Sequence, residues 1–146
     1  MGKLAQRFLD AAKSGVYRVA NADVPREAAR EAGLALFEVP LDGLEDKNAL
    51  LRQFATVLAF PEWFGGNWDA LEDCLADLSW CKAGGYVLLV HGAAAFAARC
   101  AGDYGVLIDV LGACAQSWRE RGVPFFAVCE DRGGALALPA LYNDAK

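Results

Sequence analysis

Apolar positions along the chain change their period several times, and each change marks an element. Leu4, Phe8 and Ala11/Ala12 recur at helical spacing over residues 2–13, and Ser14-Gly15 ends that run. Residues 16–20 read as a short strand, with a turn at 21–23. Pro25 suits the first turn of a brief helix that reaches Ala32 and stops at Gly33. Residues 34–41, with Phe37 and Val39, predict a strand, and Asp42-Gly43 a turn. Leu50, Leu51, Phe54, Val57 and Leu58 then form the apolar face of a helix that either Asp46 or Asn48 can cap. Pro61 is expected to close it, because the residue before a proline is pushed out of the α region.

A second helix is predicted from Asn67 to about Leu78, and Ala83-Gly84-Gly85 is a loop. Residues 86–91 are a continuous apolar run, the pattern of a strand buried on both faces and so central and parallel. Residues 96–100 suggest a short helix broken at Gly102. A long helix follows over 104–121, with Leu107, Ile108, Leu111, Cys114, Ala115 and Trp118 inward. Gly122-Val123-Pro124 ends it, and 125–129 is another buried strand. This order predicts an α/β fold: a small three-stranded parallel sheet (35–40, 86–91, 125–129) packed with helices, plus an extra N-terminal strand and helix segment. The expected organisation is an N-terminal extension over 1–33 packed on the body, a central domain over 34–130, and a tail over 131–146. Leu136, Leu138, Leu141 and Tyr142 in the tail are expected to pack on the body.

The helix after Asn67 has an unusual charge pattern. Asn67 is placed to cap it, and Asp69 sits where the positive end of the helix dipole favours an anion. With Asp69 at 0° and about 100° per residue, Asp73 lies near ~40°, Asp77 near ~80°, Glu72 near ~300° and Ala76 near ~340°. Leu71, Cys74, Leu75 and Leu78 fall on the opposite side. One face is built for a core and the other is an acidic strip about two turns long. Like charges at i,i+4 cost a few tenths of a kcal/mol per pair in a free helix. Two readings follow: a solvated face, or charge held for a basic partner.

Composition narrows the classes. The 146 residues suit one domain, 55% of them hydrophobic, without a low-complexity stretch or an internal repeat. No apolar run approaches a membrane span, and residues 1–15 lack the hydrophobic core of a secretory signal, so a soluble cytoplasmic protein is expected. The net charge of −5 argues against nucleic acid as a ligand and is compatible with a basic protein. Five cysteines (Cys74, Cys81, Cys100, Cys114, Cys129), with no Cys-x-x-Cys, read as reduced core thiols and not a zinc site. His91, the single histidine, ends the central strand, where an open α/β sheet can carry catalytic groups or merely a structural residue. No nucleotide or hydrolase motif surrounds it. Asp69, Glu72 and Asp73 could chelate a hard cation only with ligands converging from another element. No catalytic residue, metal or cofactor is assigned.

The contiguous run Pro61-Glu62-Trp63-Phe64-Gly65-Gly66-Asn67-Trp68-Asp69-Ala70-Leu71-Glu72-Asp73-Cys74-Leu75 resembles the signature of the barstar family, the intracellular inhibitors of microbial ribonucleases. There a Pro-acidic-aromatic-aromatic-Gly loop runs into Asn-x-Asp-Ala-Leu-x-Asp-Cys-Leu. A looser likeness in element order extends over residues 34–130. The resemblance implies an inhibitor, not an enzyme, whose acidic helix and preceding loop plug a basic ribonuclease or ribonuclease toxin, as a monomer in a 1:1 complex. It implies that Trp63 is the loop aromatic contacting the nuclease, and that Asn67, Asp69, Ala70 and Asp73 are helix contacts, Asp73 the most central. Glu72 stands where barstar has Trp, adding charge and removing apolar area. Asp77 extends the strip at its rim. No counterpart is placed for the acidic contact that the family carries on its later helix, with Asp109 as a candidate. An acidic module binding a non-nuclease protein through the same helix, and a carboxylate-dependent enzyme, are the alternative readings.

Overall fold

A computed structural model describes residues 1–142. The elements are helix α1 (Lys3–Phe8), a 3-10 turn (Ala11–Lys13), strand β1 (Gly15–Val19), helix α2 (Asp23–Ala32), strand β2 (Ala35–Pro40), helix α3 (Lys47–Val57), helix α4 (Trp68–Asp77), strand β3 (Tyr86–His91), helices α5 (Ala93–Arg99) and α6 (Ala101–Glu120), and strand β4 (Phe125–Glu130). Among the described residues no helix is long and apolar enough to cross a membrane.

The strands form one parallel sheet in the order β1-β4-β3-β2. It has four strands, not the three expected from the sequence. β1 pairs in register with β4, from Gly15 opposite Phe126 to Val19 opposite Glu130. The local pattern marks residues 16–20 as extended but carries no sign of their partner, because pairing across more than a hundred residues is a tertiary choice. Ser14 helps fix it: its Oγ accepts the Phe125 N–H at 3.0 Å, and its carbonyl accepts from Arg119 at 3.0 Å. The outer edge of β1 is covered as well, since the Arg18 N–H donates to Pro139 and the Leu141 N–H to Arg18, both at 2.9 Å.

Alternation along the central strands divides the core in two. Tyr86, Leu88 and Val90 of β3, with Phe125, Ala127 and Cys129 of β4, face α3, α4, α5 and α6. Val87, Leu89, Phe126 and Val128 face α1, α2 and the tail residue Leu141. Every one of these ten side chains is buried, as the unbroken apolar runs predict for strands covered on both sides.

Three helix boundaries differ from expectation. The helical run expected over 2–13 ends at Phe8, and a separate 3-10 turn over Ala11–Lys13 follows, capped by Asp10, whose side chain accepts the Ala12 N–H. Helix α3 stops at Val57, well short of Pro61. Ala59 takes a left-handed conformation (φ 53°), its N–H donates to Thr56 and the Phe60 N–H reaches back to Ala55 at 2.9 Å. This paired hydrogen-bond arrangement terminates a helix and usually has glycine where Ala59 stands. The break between α5 and α6 falls at Cys100, with Gly102 inside α6. The corner is held by Arg99 donating to the Leu44 carbonyl at 2.7 Å and by the Cys100 Sγ near the Glu45 carbonyl at 3.4 Å, long-range contacts with no local signature.

Candidate functional site

The acidic helix is α4, and its start is built by the residues immediately before it. Asn67 is extended (φ −131°) and its Oδ1 accepts the Ala70 N–H at 2.8 Å, so it caps the helix as expected. Asp46 does the same for α3, accepting the Ala49 N–H at 2.8 Å, which settles the choice between Asp46 and Asn48. Gly66 (φ 72°) provides the left-handed step into Asn67 that a side chain would strain. Leu71, Leu75 and Leu78 are buried in the first core and Cys74 is buried as well, while Asp69, Glu72, Asp73 and Asp77 are exposed. Asp69 lies in the first turn, where its charge complements the dipole, but Asp73 and Asp77 lie toward the negative end, and the last turn has no basic residue. Among the described residues, no ion pair involves Glu62, Asp69, Glu72, Asp73 or Asp77. Asp77 accepts a local hydrogen bond from the Ser79 hydroxyl at 2.9 Å.

Ahead of this helix the loop forms an aromatic platform. Phe60 packs on Phe64 and edge-on to Trp80, with centroids 5.0 and 5.9 Å apart, and the Trp80 Nε1 donates to the Leu58 carbonyl at 3.0 Å. Trp63 sits edge-on to Trp80 at 6.3 Å and is 58% exposed. The structure thus divides the two tryptophans flanking Gly65-Gly66: Trp68 is half-buried against the core, while Trp63 is exposed to solvent. Ala70, in the first turn of α4, is half-buried. Trp80, not assigned to the site from sequence, is the ring that Trp63 packs against; only the tertiary structure reveals this contact.

Helix α6 holds α4 from behind. Cys114 Sγ lies 3.6 Å from the Glu72 carbonyl, Trp118 Nε1 donates to Leu75 at 2.8 Å, and Arg121 Nη2 donates to Ala76 at 2.6 Å. These contacts were not foreseen from the sequence. Asp109 is exposed and lies upstream of Cys114, Trp118 and Arg121 in the chain.

A second polar cluster occupies the carboxyl ends of the strands on the α2 side. His91 Nε2 meets Glu38 Oε1 at 2.8 Å and His91 Nδ1 meets Glu130 Oε1 at 3.0 Å. Arg26 forks onto Glu38 at 2.6 and 2.8 Å and also pairs with Asp23, while Arg132 lies 3.6 Å from Glu130. The Arg26 bond, opposed by burial and helped by His91, holds the Glu38 carboxyl down at about 2. Burial lowers the His91 value, but bonds to Glu130 and Glu38 outweigh it and the net displacement is upward. Both ring nitrogens are engaged by carboxylates, so the arrangement suits an imidazolium tying three strands together and offers no free lone pair for base catalysis. Among the described residues, no group of three or more His, Cys, Asp or Glu is arranged to hold a metal ion.

Comparison with curated protein sequences returned no match. A family model described as Barstar (barnase inhibitor) matches residues 34–130, a span that runs from β2 through β4 and includes the loop and helix described above. With about two-thirds of its length inside that match, the chain belongs to the barstar family.

Proposed function

We propose that the protein is a ribonuclease inhibitor that blocks a basic nuclease cleft with α4 and the loop before it. The observation that carries this reading is the row of exposed carboxylates on α4, which among the described residues have no ion-pair partner, together with the exposed Trp63 of the preceding loop. A nuclease cleft binds phosphates with Lys, Arg and His, so carboxylates a turn apart can stand in for the anionic substrate. Trp63 offers a rigid aromatic anchor at the rim, with Asn67, Asp69, Ala70 and Asp73 as helix contacts. Family membership supports an inhibitory and non-enzymatic role. The partner is a basic secreted-type ribonuclease or ribonuclease toxin, met in the cytoplasm as a 1:1 complex without cofactor.

Glu72 favours a partner that differs from barnase itself. A carboxylate at this exposed position would face a basic residue more readily than an apolar one. The alternative, an acidic module for a non-nuclease protein, rests on the same feature.

The test is stoichiometric inhibition of barnase and of basic secreted ribonucleases. Truncating one member of a desolvated, hydrogen-bonded charge pair costs about 2–5 kcal/mol, or roughly thirty-fold to several-thousand-fold in affinity. Asp73→Ala should therefore weaken inhibition on that scale, whereas Asp77→Ala at the rim should mainly slow association and flatten its salt dependence. Equal, small effects from both substitutions would return α4 to a merely solvated face.

A further inference from the structure

Helix α4 has an adverse C-terminal half. Its last carbonyls lack intrahelical donors, as at any helix end, and Asp73 and Asp77 place negative charge where the dipole is already negative. It ends at Leu78 in a left-handed conformation (φ 47°), which a branched side chain adopts reluctantly. Such an end should fray. The missing donors and the missing cation come from α6 and from Arg121, the residue that ends it. Trp118 Nε1 donates to Leu75 and Arg121 Nη2 to Ala76, two successive carbonyls of the last turn. The Arg121 guanidinium lies over the Trp118 ring, 3.7 Å from its centroid, and is held further by Ser117 through Nε to the carbonyl (3.3 Å) and Nη2 to the hydroxyl (3.1 Å). Trp118 itself is buried against Tyr86 of the central strand β3, with centroids 5.1 Å apart. Beyond the apolar packing of Leu71, Leu75 and Leu78, the end of the acidic helix is thus tied toward the sheet through this stacked pair.

We infer that Trp118 and Arg121 are positioning residues for the acidic face of α4: without lying on that face, they fix the helix end that carries Asp73 and Asp77. The inference rests on the inhibitory role proposed above. Its energetic logic is preorganisation: a helix already held in its bound geometry loses less freedom on association, and the complex dissociates more slowly. Electrostatics alone predicts the reverse sign for Arg121. Removing a cation near an acidic face makes that face more negative, which should speed and tighten capture of a basic partner.

The experiment uses the full chain with Arg121→Ala, Arg121→Lys and Trp118→Phe, the last keeping the ring but losing the indole donor. Two readouts are taken: amide hydrogen exchange across the chain, and association and dissociation rates with barnase and with basic secreted ribonucleases. Loss of a charged donor to a helix carbonyl should speed exchange at the C-terminal amides of α4 by about tenfold, with amides of β3 and β4 unchanged. Dissociation should quicken by about tenfold while association stays level or rises. Arg121→Lys should fall between wild type and alanine, because lysine keeps the charge but not the planar stack. Exchange in α4 equal to wild type overturns the inference, whatever happens to binding. Local loosening with unchanged dissociation overturns it too, and so does slower association as the sole kinetic effect. If the wild type inhibits none of these ribonucleases, the function proposed above falls, and the exchange result alone decides whether the stacked pair holds α4.

Discussion

Replacing Glu38 by Gln tests how much of the fold depends on the charge chain at the carboxyl edge of the sheet. Glu38 accepts three hydrogen bonds, two from Arg26 and one from His91, and joins α2 to β2 and β3. Its carboxyl lies at about 2 against an ordinary 4.5, with the Arg26 bond as the largest cause. At full strength such a displacement corresponds to about 3 kcal/mol. Glu38 is one-third exposed, so solvent screening reduces this to about 1–2 kcal/mol. In a domain of this size that is roughly 3–8 °C in the thermal midpoint. The folded state binds the Glu38 proton more weakly than the unfolded state. Its contribution is therefore complete above about 4.5 and fades as the pH falls toward about 2. Urea unfolding of wild type and Glu38→Gln, measured at intervals from pH 7 down to the lowest pH at which the wild type stays folded, should show the full gap at pH 7 and a steady closing below pH 4.5. No gap at pH 7, or a gap that does not narrow in acid, would refute the reasoning.

The opposite sign holds for His91, whose folded value is raised, so its contribution is present below 6.5 and lost as pH rises through the elevated value. Wild-type stability should decline as the pH is raised above 6.5 through that elevated value, and His91→Gln should lack the decline; as the single histidine, its ring titration can be followed directly by NMR. Ala59→Gly should stabilise the protein by about 0.5–1 kcal/mol in denaturant titration, since glycine relieves the left-handed strain at the end of α3. Burial pushes the thiols of Cys74 up to about 11 and of Cys114 and Cys129 up to about 12. In native protein at pH 8, iodoacetamide should label the half-exposed Cys81 and Cys100 well before these three, and comparable rates would contradict the packing.

Much of the site was legible because it is local in sequence. An N-cap, an i,i+4 charge pattern and an opposing apolar face all depend on neighbours within a few residues, so Asn67, Asp69, Asp73 and the buried Leu71, Cys74 and Leu75 fall where their order implies. The buried strands β3 and β4 were legible for a similar reason: an unbroken apolar run must be covered on both faces. What props the site from outside was not. Trp118 and Arg121 lie more than forty residues beyond the carbonyls they cap, and Trp80 meets Trp63 and Leu58 with the whole of α4 intervening in sequence.

By itself, then, the sequence determined the elements, their apolar faces, the acidic strip and the family to which it belongs. The tertiary structure alone decided the fourth strand, since β1 is half-exposed along most of its length and its choice of β4 depends on register contacts such as Ser14 to Phe125. It alone brought Glu38, His91 and Glu130 together from three strands, and set α6 behind α4. The physical reason is the same throughout. Period and capping are written in bonds between near neighbours, whereas strand partners and side-chain clamps are settled only when distant segments compete for the same surface.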